Sequence, residues 1–219
     1  MNYDYLYRIV LFGDSAVGKT SFMNKYIKND DIQNYLPTIG VDFGAKLIKY
    51  DTHHILKLHL WDTSGNNNFR NIVRSYYGGV AGAVLIYDKS NYKSFQNLPN
   101  WISDFDSVNK NNDLPIIVIG TKTDLPSEIP DIEIKSFINQ YNVLYNEVNL
   151  NTKEEIPDVL MPLWDKIWKK YIIPNKVCIG IKKRTINIEP PVAPPMQKKS
   201  STSSVIKKID NFQSKCMIS

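Results

Sequence analysis

The sequence predicts an α/β fold in which helices flank a mostly parallel sheet with one antiparallel strand at its edge. Three observations point there. Short apolar runs alternate with helical patterns through the first 173 residues. Two of those runs, 83–87 and 116–119, are nearly all apolar, the mark of strands buried on both faces. A glycine-rich turn, GDSAVGKT at 13–20, stands between a strand pattern and a helix pattern.

Taken in order, Tyr5–Phe12 reads as a strand and 18–28 as a helix. Residues 43–50 and 55–61 read as two strands joined by the turn 51–54, and this hairpin supplies the antiparallel edge. Helical patterns fall near 69–78, 94–109, 131–140 and 157–171, with the two buried strands between them. Strands alternating with helices predict parallel pairing through right-handed crossovers. No internal repeat is present. A chain of 219 residues is long enough for one sizeable core. With 42% hydrophobic and 22% charged residues it is not a disordered composition. Two cysteines exclude a disulfide framework, and Asp4 and Arg8 interrupt the first apolar stretch where a signal would need continuity. No apolar run approaches the roughly 20 residues that span a bilayer.

The net charge of +5 is unevenly placed. From Pro174 onward nine Lys or Arg face only Glu189 and Asp210, which leaves +7 there and −2 on residues 1–173. The core is therefore not expected to bind nucleic acid. Residues 174–219, with EPPVAPP at 189–195 and KKSSTSS at 198–204, read as a flexible basic tail behind a domain spanning 1–173.

The turn at 13–20 fits G-x-x-x-x-G-K-[ST] in the strand-to-helix setting a phosphate-binding loop needs. Its glycines, Gly13 and Gly18, let the backbone of Asp14, Ser15, Ala16 and Val17 turn N–H groups toward phosphate oxygens. Lys19 is placed for the terminal phosphates, the Thr20 hydroxyl for Mg²⁺, and Ser21 for the helix end that adds its own positive pole. Asp62 ends the alternating strand 56–61, beside the loop, where a carboxylate can hold the magnesium shell. Gly65 lets a backbone N–H approach the γ-phosphate. TKTD at 121–124 follows a buried strand, and the Asp124 carboxylate can accept two hydrogen bonds from guanine that adenine does not offer. Lys122 can lay its aliphatic stem over the base.

Together these residues resemble the Ras superfamily of small GTPases over about residues 5–172. IGVDF at 39–43, KLHLWDTSG at 57–65 and YYGGVAGAVLIYD at 76–88 are most similar to the Rab branch. The resemblance implies a P-loop fold with a six-stranded sheet and five helices. It implies a GDP/GTP cycle with switching regions near 30–43 and 64–80, and Thr38 as a second Mg²⁺ ligand that contacts the γ-phosphate. Phe43, Trp61 and Tyr76 match the aromatic triad that Rabs present to effectors.

The same comparison exposes four departures. Asn66 stands where the water-orienting Gln is usual, and a reach shorter by about 1 Å can cost on the order of 100-fold in rate. Thr121 replaces a more usual Asn. The Ser-Ala-Lys guanine loop has no clean counterpart, and NEVNLN at 146–151 puts Asn149, Leu150 and Asn151 at its places. Asp31 stands where an aromatic normally flanks the base, with Ile32 beside it. At the other end, CMIS at 216–219 fits C-a-a-X with Ser last, which favours farnesylation of Cys216 by a prenyltransferase.

The expectation is a monomeric Rab-like GTPase, lipid-anchored on the cytoplasmic face of a membrane with a cytosolic pool. It would recruit effectors in vesicle traffic under an exchange factor and a GTPase-activating protein. Lys19, Thr38 and Asn66 would carry slow hydrolysis. The alternatives are a GTP-locked binding module of the same fold and a Ras- or Rho-like signalling GTPase.

Overall fold

Strand β1 (Tyr5–Phe12) runs through the middle of the sheet, and its residues 9–12 are wholly buried between two apolar layers. In this computed structural model residues 2–28, 38–110, 113–152, 156 and 158–184 are described. On one face of β1, Tyr7, Ile9 and Leu11 pack with Phe22, Met23, Tyr26 and Trp164. On the other, Val10 and Phe12 pack with Tyr77, Trp101 and Phe105.

The remaining elements follow the predicted alternation. Helix α1 (Lys19–Lys28) leads to the hairpin of β2 (Val41–Lys49) and β3 (Ile55–Thr63). A 3₁₀ turn (Asn67–Phe69) runs into α2 (Arg70–Ser75), then β4 (Gly82–Asp88), α3 (Tyr92–Gln96) and α4 (Leu98–Val108). Strand β5 (Ile116–Thr121), α5 (Asp131–Tyr141), β6 (Leu144–Glu147) and α6 (Met161–Ile167) complete the domain body, with a π-helical turn at Trp168–Ile172. The sheet order is β2-β3-β1-β4-β5-β6. Pairing is parallel from β3 to β6, and β2 is the expected antiparallel edge, in register from Val41 opposite Thr63 to Lys49 opposite Ile55. The chain steps to β3 on one side of β1 and to β4 on the other, so the strand order reverses at β1. That is where an α/β sheet opens a crevice for a ligand.

Three differences from the sequence reading have physical causes. The helix predicted over 94–109 breaks at Asn97, because Pro99 lacks the N–H that an unbroken helix would use and takes the first turn of α4 instead. Strand β6 carries Leu144 and Tyr145 but then two polar residues, too little alternation to be read as a strand. The largest difference is the end of the domain. The chain does not leave at 173 but stays packed through 184, and Ile181–Lys183 form a seventh strand, β7, antiparallel to β1. β4 pairs with β1 only from Ile9, which leaves the edge of residues 5–7 bare, and β7 fills it. Arg8 N–H donates to the Gly180 carbonyl at 2.9 Å and Arg184 N–H to the Asp4 carbonyl at 2.9 Å. Gly180 has to be glycine: a Cβ there would stand 1.9 Å from the Val80 carbonyl carbon. Cys216 and the tail beyond residue 184 lie outside the described residues.

Candidate functional site

The loop after β1 takes a conformation that most side chains resist. Gly13 (φ 136°), Ala16 (φ 64°) and Gly18 (φ 94°) all have positive φ, which turns successive N–H groups to one side and makes an anion-binding concavity. Ser15, Ala16, Gly18, Lys19, Thr20, Ser21, Thr38, Ser64 and Gly65 line one pocket around it. Gly65 is pressed on the loop so closely that a Cβ would come within 2.3 Å of the Asp14 carbonyl carbon.

Lys19 is almost fully buried and donates to the carbonyls of Gly13 (3.0 Å) and Asp14 (2.5 Å). Burial lowers its pKa to about 8 against the pull of Asp62 and Asp14, so it remains a cation at pH 7. Thr20 Oγ1 lies 2.8 Å from Thr38 Oγ1 and donates to Asp62 Oδ2 at 2.5 Å. Thr38 Oγ1 reaches the same carboxylate oxygen at 3.5 Å. The three expected metal ligands are thus brought together from α1, the segment before β2, and the end of β3. Asp62 has no exposed surface, and its Oδ1 is buried without a hydrogen-bond partner among the described residues. Burial raises its pKa to about 6, moderated by the Thr20 hydrogen bond and Lys19. Two hydroxyls and a carboxylate with a spare buried oxygen fit a hard cation of the Mg²⁺ type.

Two residues of the loop do other work. The Asp14 carboxylate accepts from Asn97 Nδ2 and Trp101 Nε1, both at 2.7 Å, which ties the loop to α4. Val17 packs in the core, and its carbonyl accepts from Thr121 Oγ1 at 2.7 Å.

That hydroxyl also lies 3.0 Å from the Tyr87 carbonyl, a shared bond, so Thr121 locks the 121–124 turn to the loop 13–20 and does not point outward. Lys122, itself in left-handed backbone (φ 55°), pairs with Asp88 at 2.6 Å. Asp124 Oδ2 accepts from Asn151 Nδ2 at 2.7 Å, and Asn149 Oδ1 accepts from the Asn151 N–H at 2.9 Å. The Leu150 side chain lies against Gly18, its Cδ1 3.4 Å from where a Cβ would be. The segment 149–151 is therefore docked beside Asp124 and Gly18, with side chains making the contacts.

Asn66 directly follows Gly65 of the pocket lining, and its Oδ1 accepts from the Asn68 N–H at 2.9 Å and caps the 3₁₀ turn. Phe43, Trp61 and Tyr76 form one aromatic row with ring centroids 4.8 and 5.3 Å apart. Trp61 is buried and Phe43 exposed, so the row is half core and half surface. Asp31 and Ile32 lie outside the described residues.

The sequence reading missed Asn97, Trp101, Lys25 and Arg70. Lys25 is buried in α1 and donates to the Thr152 carbonyl at 2.7 Å, holding the chain just after Asn151. Its signal was legible: a lysine three residues after Phe22 and one before Tyr26 stands on an apolar helix face. Arg70 pairs with Asp104 at 2.5 Å and lies 5.7 Å from the Trp101 ring, which joins α2 to α4. That contact has no sequence signal.

Residues 8–169 match the family model described as the Ras family. The chain is 35% identical over 170 residues to the Ras-related protein Rab-11B of Dictyostelium discoideum, covering 77% of this chain and 76% of that protein. It is 32% identical over 163 residues to the Ras-related protein RABD2a of Arabidopsis thaliana, covering 74% and 79%.

Proposed function

The chain belongs to the Ras family as a Rab-like small GTPase, and from that premise we propose a membrane-attached GDP/GTP switch with slow intrinsic hydrolysis, working in vesicle traffic. Proteins of this family bind GTP and GDP and act with effectors, exchange factors and GTPase-activating proteins. The single observation that carries the site assignment is the meeting of Thr20, Thr38 and Asp62, with one buried Asp62 oxygen left over.

In this reading the inward N–H groups of 13–20 donate to phosphate oxygens, and the Lys19 ammonium leaves its two carbonyl acceptors for the terminal phosphates. Thr20, Thr38 and Asp62 would hold Mg²⁺, which when bound neutralises charge on the β- and γ-phosphates. The water oxygen forms a bond to the γ-phosphorus as the bridge to the β-phosphate breaks, and its proton passes to phosphate oxygen. Orienting that water falls to Asn66, whose carbonyl is engaged in capping, and slow hydrolysis follows. Asp124 accepts from guanine N1–H and the 2-amine, with Lys122 under the base and the Leu150 N–H toward its carbonyl. Phe43, Trp61 and Tyr76 offer the aromatic surface for an effector.

Membrane attachment rests on Cys216. One prenyl chain holds weakly and needs a second signal, which the lysines at 198, 199, 207, 208 and 215 supply. No described helix is long and apolar enough to cross a membrane. Two measurements test the reading. GTP should bind the full chain with Mg²⁺ far more tightly than ATP, and equal affinities would overturn the guanine assignment. Cys216→Ser should move the protein out of the membrane fraction with GTP binding intact; an unchanged fraction would overturn lipid anchoring.

A further inference from the structure

The end of the sheet opposite the nucleotide carries a concentration of charge that the switch does not use. β1 is eight residues long, so this end lies about 25 Å from the phosphate loop. Here β7 sets Lys182 opposite Leu6, whose neighbour on the other side is Lys57 of β3. The two lysines therefore flank one β1 residue about 10 Å apart on one face. Lys183 and Arg184 follow, and Lys49 ends β2 opposite Ile55. Lys49, Lys182, Lys183 and Arg184 are exposed, and Lys57 is half-buried with Nζ 5.3 Å from the Tyr3 ring.

None of the five is ion-paired among the described residues. The carboxylates on these strand ends are committed elsewhere: Asp4 accepts from the Ile55 N–H at 2.8 Å, and Asp51 from the N–H groups of His53 and His54. Arg184 is held by Asn2 Oδ1 at 2.9 Å and by its N–H bond to Asp4, so its position is set by the fold. The imidazole of His59 records the same field. Burial first, then Lys57, Arg8 and Lys182, hold its pKa down to about 4.

We propose that Lys49, Lys57, Lys182, Lys183 and Arg184 form a fixed basic platform that rests on anionic lipid headgroups, with β7 as the device that builds it. The occupant is argued from continuity: the chain continues from this platform into the tail that carries five more lysines and the Cys216 sequence. Cations spread over β2, β3 and β7, the last two separated by β1, suit a surface of many headgroups better than one small anion. The platform would press this end of the sheet to the membrane and turn the nucleotide site and the aromatic row away from it. It builds on the proposed membrane attachment, but its test needs no lipid on the protein, so its failure would leave the Cys216 reading standing.

The test is co-sedimentation of the full, unlipidated, GDP-loaded chain with phosphatidylcholine vesicles, with and without phosphatidylserine. The wild type is expected to bind only the vesicles with phosphatidylserine, and less as salt rises. Each cation near such a surface is worth about a five-fold gain, so Lys182→Gln/Lys183→Gln/Arg184→Gln should weaken binding on the order of 100-fold with the tail intact. Lys49→Gln/Lys57→Gln, outside β7, should weaken it about 25-fold and guards against a loosened strand. Equal GDP release in all variants checks the fold. The proposal is overturned if the wild type ignores phosphatidylserine. It is equally overturned if both platform variants bind like wild type while neutralising Lys198, Lys199, Lys207 and Lys208 abolishes binding.

Discussion

The two ends of β1 handle charge in opposite ways. At the nucleotide end the ions are largely buried and partnered: Lys19 against two carbonyls, Asp62 Oδ2 against two hydroxyls, Asp88 against Lys122. At the far end Lys57, Lys182, Lys183 and Arg184 have no counter-charge among the described residues. Burying a charge is costly unless partners replace water, and a site that meets that cost gains directed, desolvated groups able to select one ligand. Exposed cations select little, but they are cheap to place and sum over a broad anionic surface. The contrast separates recognition of a nucleotide from attraction to a surface.

The sharpest way to break the comparison is at the base. If Asp124 selects by paired hydrogen bonds, Asp124→Asn should reverse the preference of guanine over xanthine nucleotides, a swing on the order of 10⁴-fold in competition binding. An unaltered preference would remove the claim that this end is selective by design of its carboxylate. Next in size is the rate. Asn66→Gln frees the longer amide for the water, and single-turnover hydrolysis should rise by up to about 100-fold. No change would mean that water orientation does not limit this enzyme.

The far end is tested through His59. Its pKa, held at about 4 in the folded chain, is about 6.5 when unfolded. Between those values the unfolded chain binds a proton that the folded one refuses, so stability is full above pH 6.5 and falls as the pH drops toward 4. The loss is on the order of 2 kcal/mol, and His59→Leu should remove that part of the slope. Urea midpoints of both proteins at pH 7 and 4.5 read it; parallel slopes would show that neither burial nor the nearby cations depress this histidine. The smallest effect belongs to Asn151. Losing its hydrogen bond to Asp124, worth about 1 kcal/mol at an exposed site, should speed GDP release about five-fold in Asn151→Ala. Release at the wild-type rate would show that the guanine loop is held by Leu150 and Lys25 without it.

How legible each end was in the sequence follows from the same physics. The phosphate loop is contiguous: Gly13 to Thr20 carry their conformation in their own φ preferences, and the strand before them announces itself by apolar periodicity. Asp62 was readable because a strand's last residue in an α/β sheet has few places to go. At the expected base end the residues 121–124 and 149–151 were readable, but not the bonds that join them to one another and to the rest of the chain. The far end was not readable at all. β7 is three residues long, two of them lysines, in a stretch whose composition reads as tail.

By itself, then, the sequence determined the α/β alternation, the positive-φ loop after β1, and the residue types that stand at 20, 38, 62 and 124. These depend on short-range backbone preference and on side-chain chemistry, which travel with the residues. The tertiary structure alone decided that Thr121 bonds Val17, that Asn151 holds Asp124, that Lys25 anchors Thr152, and that 181–183 close the bare edge of β1. Each of those joins groups 27 to 178 residues apart in the chain. Many residues could have made such a bond; which one does is set by where the packed layers bring the backbone, and only the folded chain contains that information.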